Sequence, residues 1–291
     1  MIIKDQAESL RKRLLASPIQ NPQSTRVVTI TSGKGGVGKS NFTLNFALAL
    51  LDYHHKTTIL DADIGFANID VLMGVHTKYT LQDLIERRLK VWDIIEKGPK
   101  GLTFIAGGSD LELFMNQHKY ENLSYLFDQF QLLNGHVDTL LVDTGAGVSE
   151  ESLRFMLSAD EVFLVTTPEP TAITDAYAII KLLHSKEKTK KVSLIINRAA
   201  NEKEAHSTAN RIRIVSKNFL DFDIHYLGYI SNDEHVPKAV KKQEPFYLAY
   251  PNSKASKNIR TIVEKYIQKH EPSKIGGTKA FLEKMYTLFR R

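Results

Sequence analysis

The sequence predicts a doubly wound α/β fold: a mostly parallel β-sheet with helices on both faces, plus a helix at each terminus. Three observations predict it. Short apolar, β-branched runs recur at 27–31, 57–61, 102–106, 139–143, 161–166 and 191–197. Such continuous runs read as strands buried on both faces. Amphipathic stretches of helical length, such as 81–95 and 171–184, separate most of them. Alternation of this kind gives right-handed crossovers and a parallel sheet. Finally, a glycine-rich segment, residues 32–40, joins the first strand to a helix over 40–51.

The bulk properties bound the answer. The chain has 291 residues, 42% hydrophobic and 25% charged. That is ordinary for a globular protein and allows a large core. The longest strongly apolar run, residues 46–51, is far shorter than the ~20 residues a spanning helix needs. The N-terminus lacks a signal-peptide core, so the expected compartment is the cytoplasm. There are no cysteines. This excludes disulfides, zinc–thiolate sites, iron–sulfur ligands and a cysteine nucleophile. The net charge of +6 sits mainly at the ends, with +2 in residues 1–25, +3 in 271–291 and +1 between. A near-neutral body argues against a protein that coats nucleic acid.

Taken in chain order, residues 1–16 form the first unit. Asp5 and Glu8 make a capping-box pattern for a helix over 5–15. Ala7, Leu10 and Leu14 share one face of it. Residues 17–25 contain two prolines and read as a linker. Residues 26–270 hold the strand–helix alternation. Residues 271–278 are a second linker, and 279–291 a terminal helix.

Within the central domain, Gly33 to Ser40 matches G-x-x-x-x-G-K-S after a strand and before a helix. In such a loop the backbone N–H groups of Gly33, Lys34, Gly35, Gly36, Val37 and Gly38 turn inward around phosphates, at a helix N-terminus that favours anions. Lys39 reaches the terminal phosphates, and the Ser40 hydroxyl serves Mg²⁺. The predicted ligands are therefore ATP or ADP with Mg²⁺.

The loop Gly-Lys-Gly-Gly-Val-Gly-Lys-Ser also has an early lysine, Lys34. It resembles the deviant Walker A motif of the MinD/ParA class of ATPases. That resemblance implies that Lys34 contacts phosphates across an ATP-sandwiched homodimer. The segment 60–68, Leu-Asp-Ala-Asp-Ile-Gly-Phe-Ala-Asn, is similar to the switch I of that class. It assigns Asp63 to the attacking water and places Asp61 near the metal shell. The segment 140–147, ending Asp-Thr-Gly-Ala-Gly, is similar to its Walker B strand and switch II, and assigns Asp143 to Mg²⁺. Asn197, at the end of a late strand, matches a position whose amide reads adenine, since an amide both donates and accepts. Asp233 lies where relatives wrap the base with a second loop, although this chain has Ser-Asn-Asp where many have Pro-Glu-Asp. Glu150 could reach a partner's ribose, or it simply suits the dipole of its helix. The iron–sulfur and arsenite-pump branches of the class use cysteines, so a positioning or partitioning ATPase remains.

The ends decide between these. Phe281, Leu282, Met285, Leu288 and Phe289, with Tyr286, trace one helical face flanked by Lys279, Lys284, Arg290 and Arg291. A basic amphipathic helix suits an anionic lipid interface. It resembles the membrane-targeting helix of MinD; docking on the protein's own surface is the alternative. Asp5, Gln6, Ala7, Leu10 and Arg11 match the D-Q-A-x-x-L-R motif of the flagellar FlhG family, also called YlxH or FleN. That resemblance implies an activator helix for the GTPase FlhF, with Gln6 reaching its site. It also implies contacts with the C-ring proteins FliM and FliN/FliY, with Asp175 on helix 171–184 a candidate surface. The expected activity is slow, Mg²⁺-dependent ATP hydrolysis controlling flagellar placement and number, with ATP-dependent binding to the inner face of the cell membrane. The alternatives are a ParA-like DNA-partitioning ATPase, with salt-sensitive DNA binding, and a division-site MinD.

Overall fold

The structure, a computed structural model, describes residues 24–63, 69–108, 119–269 and 277–289. The chain runs β1 (Arg26–Thr31), α1 (Lys39–Asp52), β2 (Thr57–Ala62), α2 (Ile69–Met73), α3 (Leu81–Glu86), α4 (Val91–Ile94) and β3 (Glu96–Lys97). A 3₁₀ turn, Pro99–Gly101, leads into β4 (Thr103–Ile105), α5 (Lys119–Gln131), β5 (Thr139–Thr144), α6 (Glu150–Ser158) and β6 (Glu161–Thr166). Then come α7 (Pro170–Lys186), β7 (Val192–Ala199), α8 (Glu202–Leu220), β8 (His225–Ser231), α9 (His235–Lys241), α10 (Phe246–Ala249), α11 (Lys254–Lys269) and α12 (Gly277–Phe289).

The described strands form one sheet in the order β3-β4-β2-β5-β1-β6-β7-β8. All neighbours are parallel except the two-residue edge strand β3. The predicted doubly wound, mostly parallel sheet is therefore what forms. Its central strands are buried along their whole length, as their apolar runs require. The register sets Ile30 of β1 and Asp61 of β2 each beside Asp143 of β5. The ends of three strands thus meet at their carboxyl edge, where ligands bind in such sheets.

Helix α1 sits in the core beneath this edge. Phe42 and Phe46 pack on Phe163 of β6, and Phe163 meets Tyr266 of α11 edge-on at 5.7 Å. The stretch 81–95, predicted as one helix, forms two. Arg88 takes a left-handed φ of 52°. The second helix then starts anew, with Lys90 N–H donating to Asp93. Strand β8 and helices α8 and α11 are additions to the sequence-derived elements.

The terminal helix begins at Gly277, two residues inside the stretch read as linker. Its apolar face is docked on the domain. Phe281, Leu282 and Met285 are buried in a cluster with Val27, Phe127, Phe130, Leu140 and Val142. Phe281 stacks on Phe155 of α6 at 6.3 Å, and Tyr286 meets Phe127 of α5 at 5.7 Å. Each such side chain taken from water contributes about 1.5–3 kcal/mol. Lys284 pairs with Glu187 at 3.6 Å across the rim. Leu288 is half-buried, and the Phe289 side chain lies outside what is described. No described helix is long and apolar enough to cross a membrane.

Candidate functional site

The glycine-rich loop leaves β1 at the sheet's carboxyl edge and enters α1. Gly38 holds a φ of 91°, which a side chain resists, and an added Cβ would strike the Asn197 amide. At Gly33 an added Cβ would strike the backbone of Asp175, so the loop lies directly against α7. The Gly147 N–H donates to the Ser32 carbonyl at 2.8 Å, tying the loop after β5 to the phosphate loop.

Four predicted residues converge here. The Lys39 ammonium is buried and lies 3.0 Å from Asp143 Oδ2 and 3.9 Å from Asp63 Oδ2. It donates to the Ser40 hydroxyl at 3.2 Å. Asp143 is fully buried; Thr43, one turn along α1 from Lys39, donates to its Oδ1 at 2.7 Å. Its Oδ2 faces only the Lys39 ammonium, as an ion pair, among the described residues. A buried carboxylate oxygen held by a single movable cation, with a serine hydroxyl beside that cation, fits a hard divalent cation such as Mg²⁺. Mg²⁺ binds through one or two such groups and substrate phosphates, and these residues supply that set. Burial raises the Asp63 pKa above its usual value; Lys39 opposes the shift and Asp143 adds to it. Asp63 is thus a carboxylate on the rim of a charged cluster, with basicity above that of an exposed aspartate.

Other predicted residues are placed differently. Asp61 is buried, and its two oxygens accept from the N–H groups of Asp63 at 3.2 Å and Ile69 at 3.1 Å. Its carboxylate thus ties together the described residues on either side of 64–68, which lie outside the described residues. Lys34 is exposed and lies 3.4 Å from Glu169 and 3.3 Å from the Thr171 hydroxyl, at the N-terminus of α7. Glu150 is 81% exposed and pairs with Arg154 in its own helix. Asp175 is half-buried behind the phosphate loop. Asp5, Gln6, Ala7, Leu10 and Arg11 lie outside the described residues.

Beside the phosphate loop lies a cavity of about 570 Å³, bounded by Gly38, Phe42, Asn197, Arg198, Ile230 and Val236 among others. Its apolar walls and its position next to Gly38 suit a nucleoside. Asn197 lines it, but its amide Nδ2 donates to the Val37 carbonyl at 2.7 Å and its Oδ1 accepts from Arg198 N–H at 2.9 Å. Asn197 therefore braces the phosphate loop. Asp233 accepts from the N–H groups of His235 and Ala255 and from the His235 ring. Burial pushes its pKa up, but these donors outweigh burial and hold it below the usual value. It shapes the loop that walls the cavity.

Residues missed in the sequence are Thr43, Glu169 and Thr171, and the pocket-lining Asn41 and Asn232. Thr43 was findable, since it lies four residues after Lys39 on the same helical face. The others show no local pattern.

Comparison with known proteins agrees with this geometry. The family model described as "ParA: NUBPL iron-transfer P-loop NTPase" matches residues 23–267. The chain is 39% identical over 240 residues to the antiactivator FleN of Pseudomonas aeruginosa, covering 82% of this chain and 85% of that protein. It is 36% identical over 279 residues to the flagellum site-determining protein YlxH of Helicobacter pylori, covering 92% and 94%. Among solved structures, the septum site-determining protein MinD of Pyrococcus horikoshii, complexed with Mg-ADP, matches with a TM-score of 0.68 and 26% identity over 83% of this chain and 96% of that one.

Proposed function

We propose that this chain, which belongs to the ParA-type P-loop NTPases and within them to the FlhG family that includes FleN and YlxH, is a Mg²⁺-dependent ATPase that sets flagellar number and placement. The observation that carries this reading is the meeting of Lys39, Ser40, Asp63 and Asp143 at the phosphate loop, beside a cavity of nucleoside size. Lys39 leaves its contact with Asp143 to hold the terminal phosphates, and Asp143 and Ser40 are then free to hold the cation. Bound Mg²⁺ supplies neutralisation of phosphate charge. Asp63 positions the water for in-line attack. Iron transfer, part of the matched family's description, has no thiolate ligands in this cysteine-free chain.

ATP drives homodimerisation. Lys34 leaves Glu169 and Thr171 and reaches the partner's phosphates, so nucleotide state controls assembly. Dimerisation displays two copies of α12, whose joint avidity binds anionic lipid on the inner face of the cell membrane. Hydrolysis is slow, because it times this cycle. The N-terminal helix stimulates FlhF, with Gln6 at the GTPase site. FliM and FliN/FliY engage the face around α7. Support there comes from adjacent α8, which packs on α7 and exposes Ile214 at 58% and Phe219 at 77%.

The test is sedimentation with anionic vesicles in ATP and in ADP, using the full chain and a version ending at Lys274. Pelleting that needs both ATP and the terminal helix supports the reading. Pelleting in neither nucleotide, with ATP-dependent binding to duplex DNA instead, overturns it in favour of a partitioning ATPase.

A further inference from the structure

We propose that the lysine-rich turn 186–191, between α7 and β7, is a second contact for anionic lipid headgroups beside α12, and that headgroup phosphate displaces Glu187 from Lys284 and so loosens the docked helix. This rests on the membrane reading of α12.

The turn reads Lys-Glu-Lys-Thr-Lys-Lys, four lysines against one glutamate. Lys186, Lys188 and Lys191 are exposed and make no ion pair among the described residues. Glu187 is shared between Lys190 and Lys284 of α12, each at 3.6 Å. The neighbouring turn before β8 carries Asp221 and Asp223, but both pair with Lys217, at 2.7 and 3.1 Å. The three outer lysines therefore present positive charge to solvent.

The backbone of the turn is held in place. The Glu187 N–H donates to the Leu183 carbonyl at 2.8 Å, and the Lys190 N–H to the Glu187 carbonyl at 3.1 Å. The Lys191 carbonyl accepts from the Val162 N–H at 2.9 Å. The buried Lys190 ammonium donates to the Leu157 and Ala159 carbonyls, at the end of α6. The inner lysine thus fastens the turn to the domain, and the outer ones stay free to meet a surface.

Position relates this charge to the terminal helix. Lys284–Glu187 is, among the described residues, the ion pair that ties α12 to the domain. A cavity of about 450 Å³ lies between turn and helix, bounded by Leu157, Lys186, Glu187, Ala280, Lys284 and Leu288. Its wall joins apolar side chains to two lysines, which suits a headgroup phosphate with the start of its acyl chain. A phosphate that reaches Lys284 competes with Glu187 for the same ammonium. The turn precedes β7, at the amino edge of the parallel sheet, whereas the phosphate loop follows β1 at the carboxyl edge. Lipid contact there leaves the nucleotide site open. The turn carries no aromatic or amide side chain with which to stack on or read bases, and this favours lipid over nucleic acid.

The experiment is vesicle sedimentation in ATP on the full chain, with phosphatidylcholine vesicles of increasing phosphatidylglycerol content. Lys186→Gln, Lys188→Gln and Lys191→Gln are combined in one variant. Its partition onto anionic vesicles should fall about 100-fold, from the loss of three lysines at the surface. The same positions changed to arginine should restore it. A control variant with Lys97→Gln, Lys203→Gln and Lys257→Gln, equal in net charge, should stay near wild type. Glu187→Gln should pellet at a lower phosphatidylglycerol content than wild type. Wild-type partition by the 186/188/191 variant overturns the proposal, as does an equal loss in the control, which would make the effect one of net charge alone. Failure of arginine to restore binding also overturns it, by making the lysines structural. Lost duplex DNA binding with vesicle binding intact makes the turn a nucleic-acid contact instead. An unchanged lipid requirement in Glu187→Gln refutes the displacement. A wild type that pellets at no phosphatidylglycerol content overturns the membrane reading itself.

Discussion

Replacing Phe155 by alanine isolates the docking of the terminal helix from the helix itself. Phe155 lies on α6, stacks on Phe281 at 6.3 Å with an 18° interplanar angle, and leaves the apolar side chains of α12 themselves untouched when removed. A fully buried Phe→Ala change costs 3–5 kcal/mol; Phe155 is half-buried, so about 2–3 kcal/mol is the working figure. The loss falls on docking. Its backbone carbonyl, which accepts from Thr29, is retained by alanine. At 1.4 kcal/mol per decade the docking equilibrium shifts roughly 30- to 150-fold. Amide hydrogen exchange of residues 277–289 in nucleotide-free protein should accelerate by that factor, while β1 and β5 change little. Vesicle binding should appear without ATP. Unaltered exchange in the helix refutes the reasoning. So does an equal loss of protection in β1 and β5, which would make Phe155 a support of the whole domain.

Three further predictions follow from the same geometry. Asp63→Asn should abolish phosphate release yet keep the ATP-bound dimer in size-exclusion chromatography; retained turnover would remove Asp63 from the mechanism. Lys34→Ala should bind mant-ADP as wild type does and remain monomeric in ATP, and dimerisation of this variant would refute a trans role for the lysine. Lys190 is buried and donates to the Leu157 and Ala159 carbonyls at 2.7 and 2.5 Å. Burial lowers its pKa from 10.5 to about 8; Glu187 and Asp160 oppose this and Lys284 adds to it. Below pH 8 the folded and unfolded chains carry the same proton there. Between about 8 and 10.5 the unfolded chain binds more, so stability rises with pH across that window. Urea unfolding of wild type against Lys190→Met at pH 7.5 and 10 reads this, and a stability difference that does not change refutes it.

The fold was legible because its strands are short apolar runs and its first helix opens on a glycine loop, both local signals. The cluster of Lys39, Ser40, Asp63 and Asp143 was legible for the same reason, each residue standing at a strand end or loop that its own neighbours define. The helices over 81–95 were less so. Their apolar pattern continues through Arg88, and only the backbone turn at that residue breaks it. Strand β8 escaped notice because tyrosines, a glycine and a serine interrupt its apolar character.

What the sequence by itself determined is therefore a set of local facts: a phosphate-binding loop, acidic residues at strand ends, and a terminal helix with one apolar face. Periodicity shows that a face is apolar but not what covers it. Tertiary structure decided that the surface comes from β1, α5, β5 and α6, brought beside α12 by the sheet. It also decided which polar groups are free. Asn197, Asp61 and Asp233 are apt by type for adenine or metal, and each is also tied to backbone groups up to 160 residues away. Occupancy of a donor or acceptor is a property of three-dimensional neighbours, and no spacing along the chain encodes it.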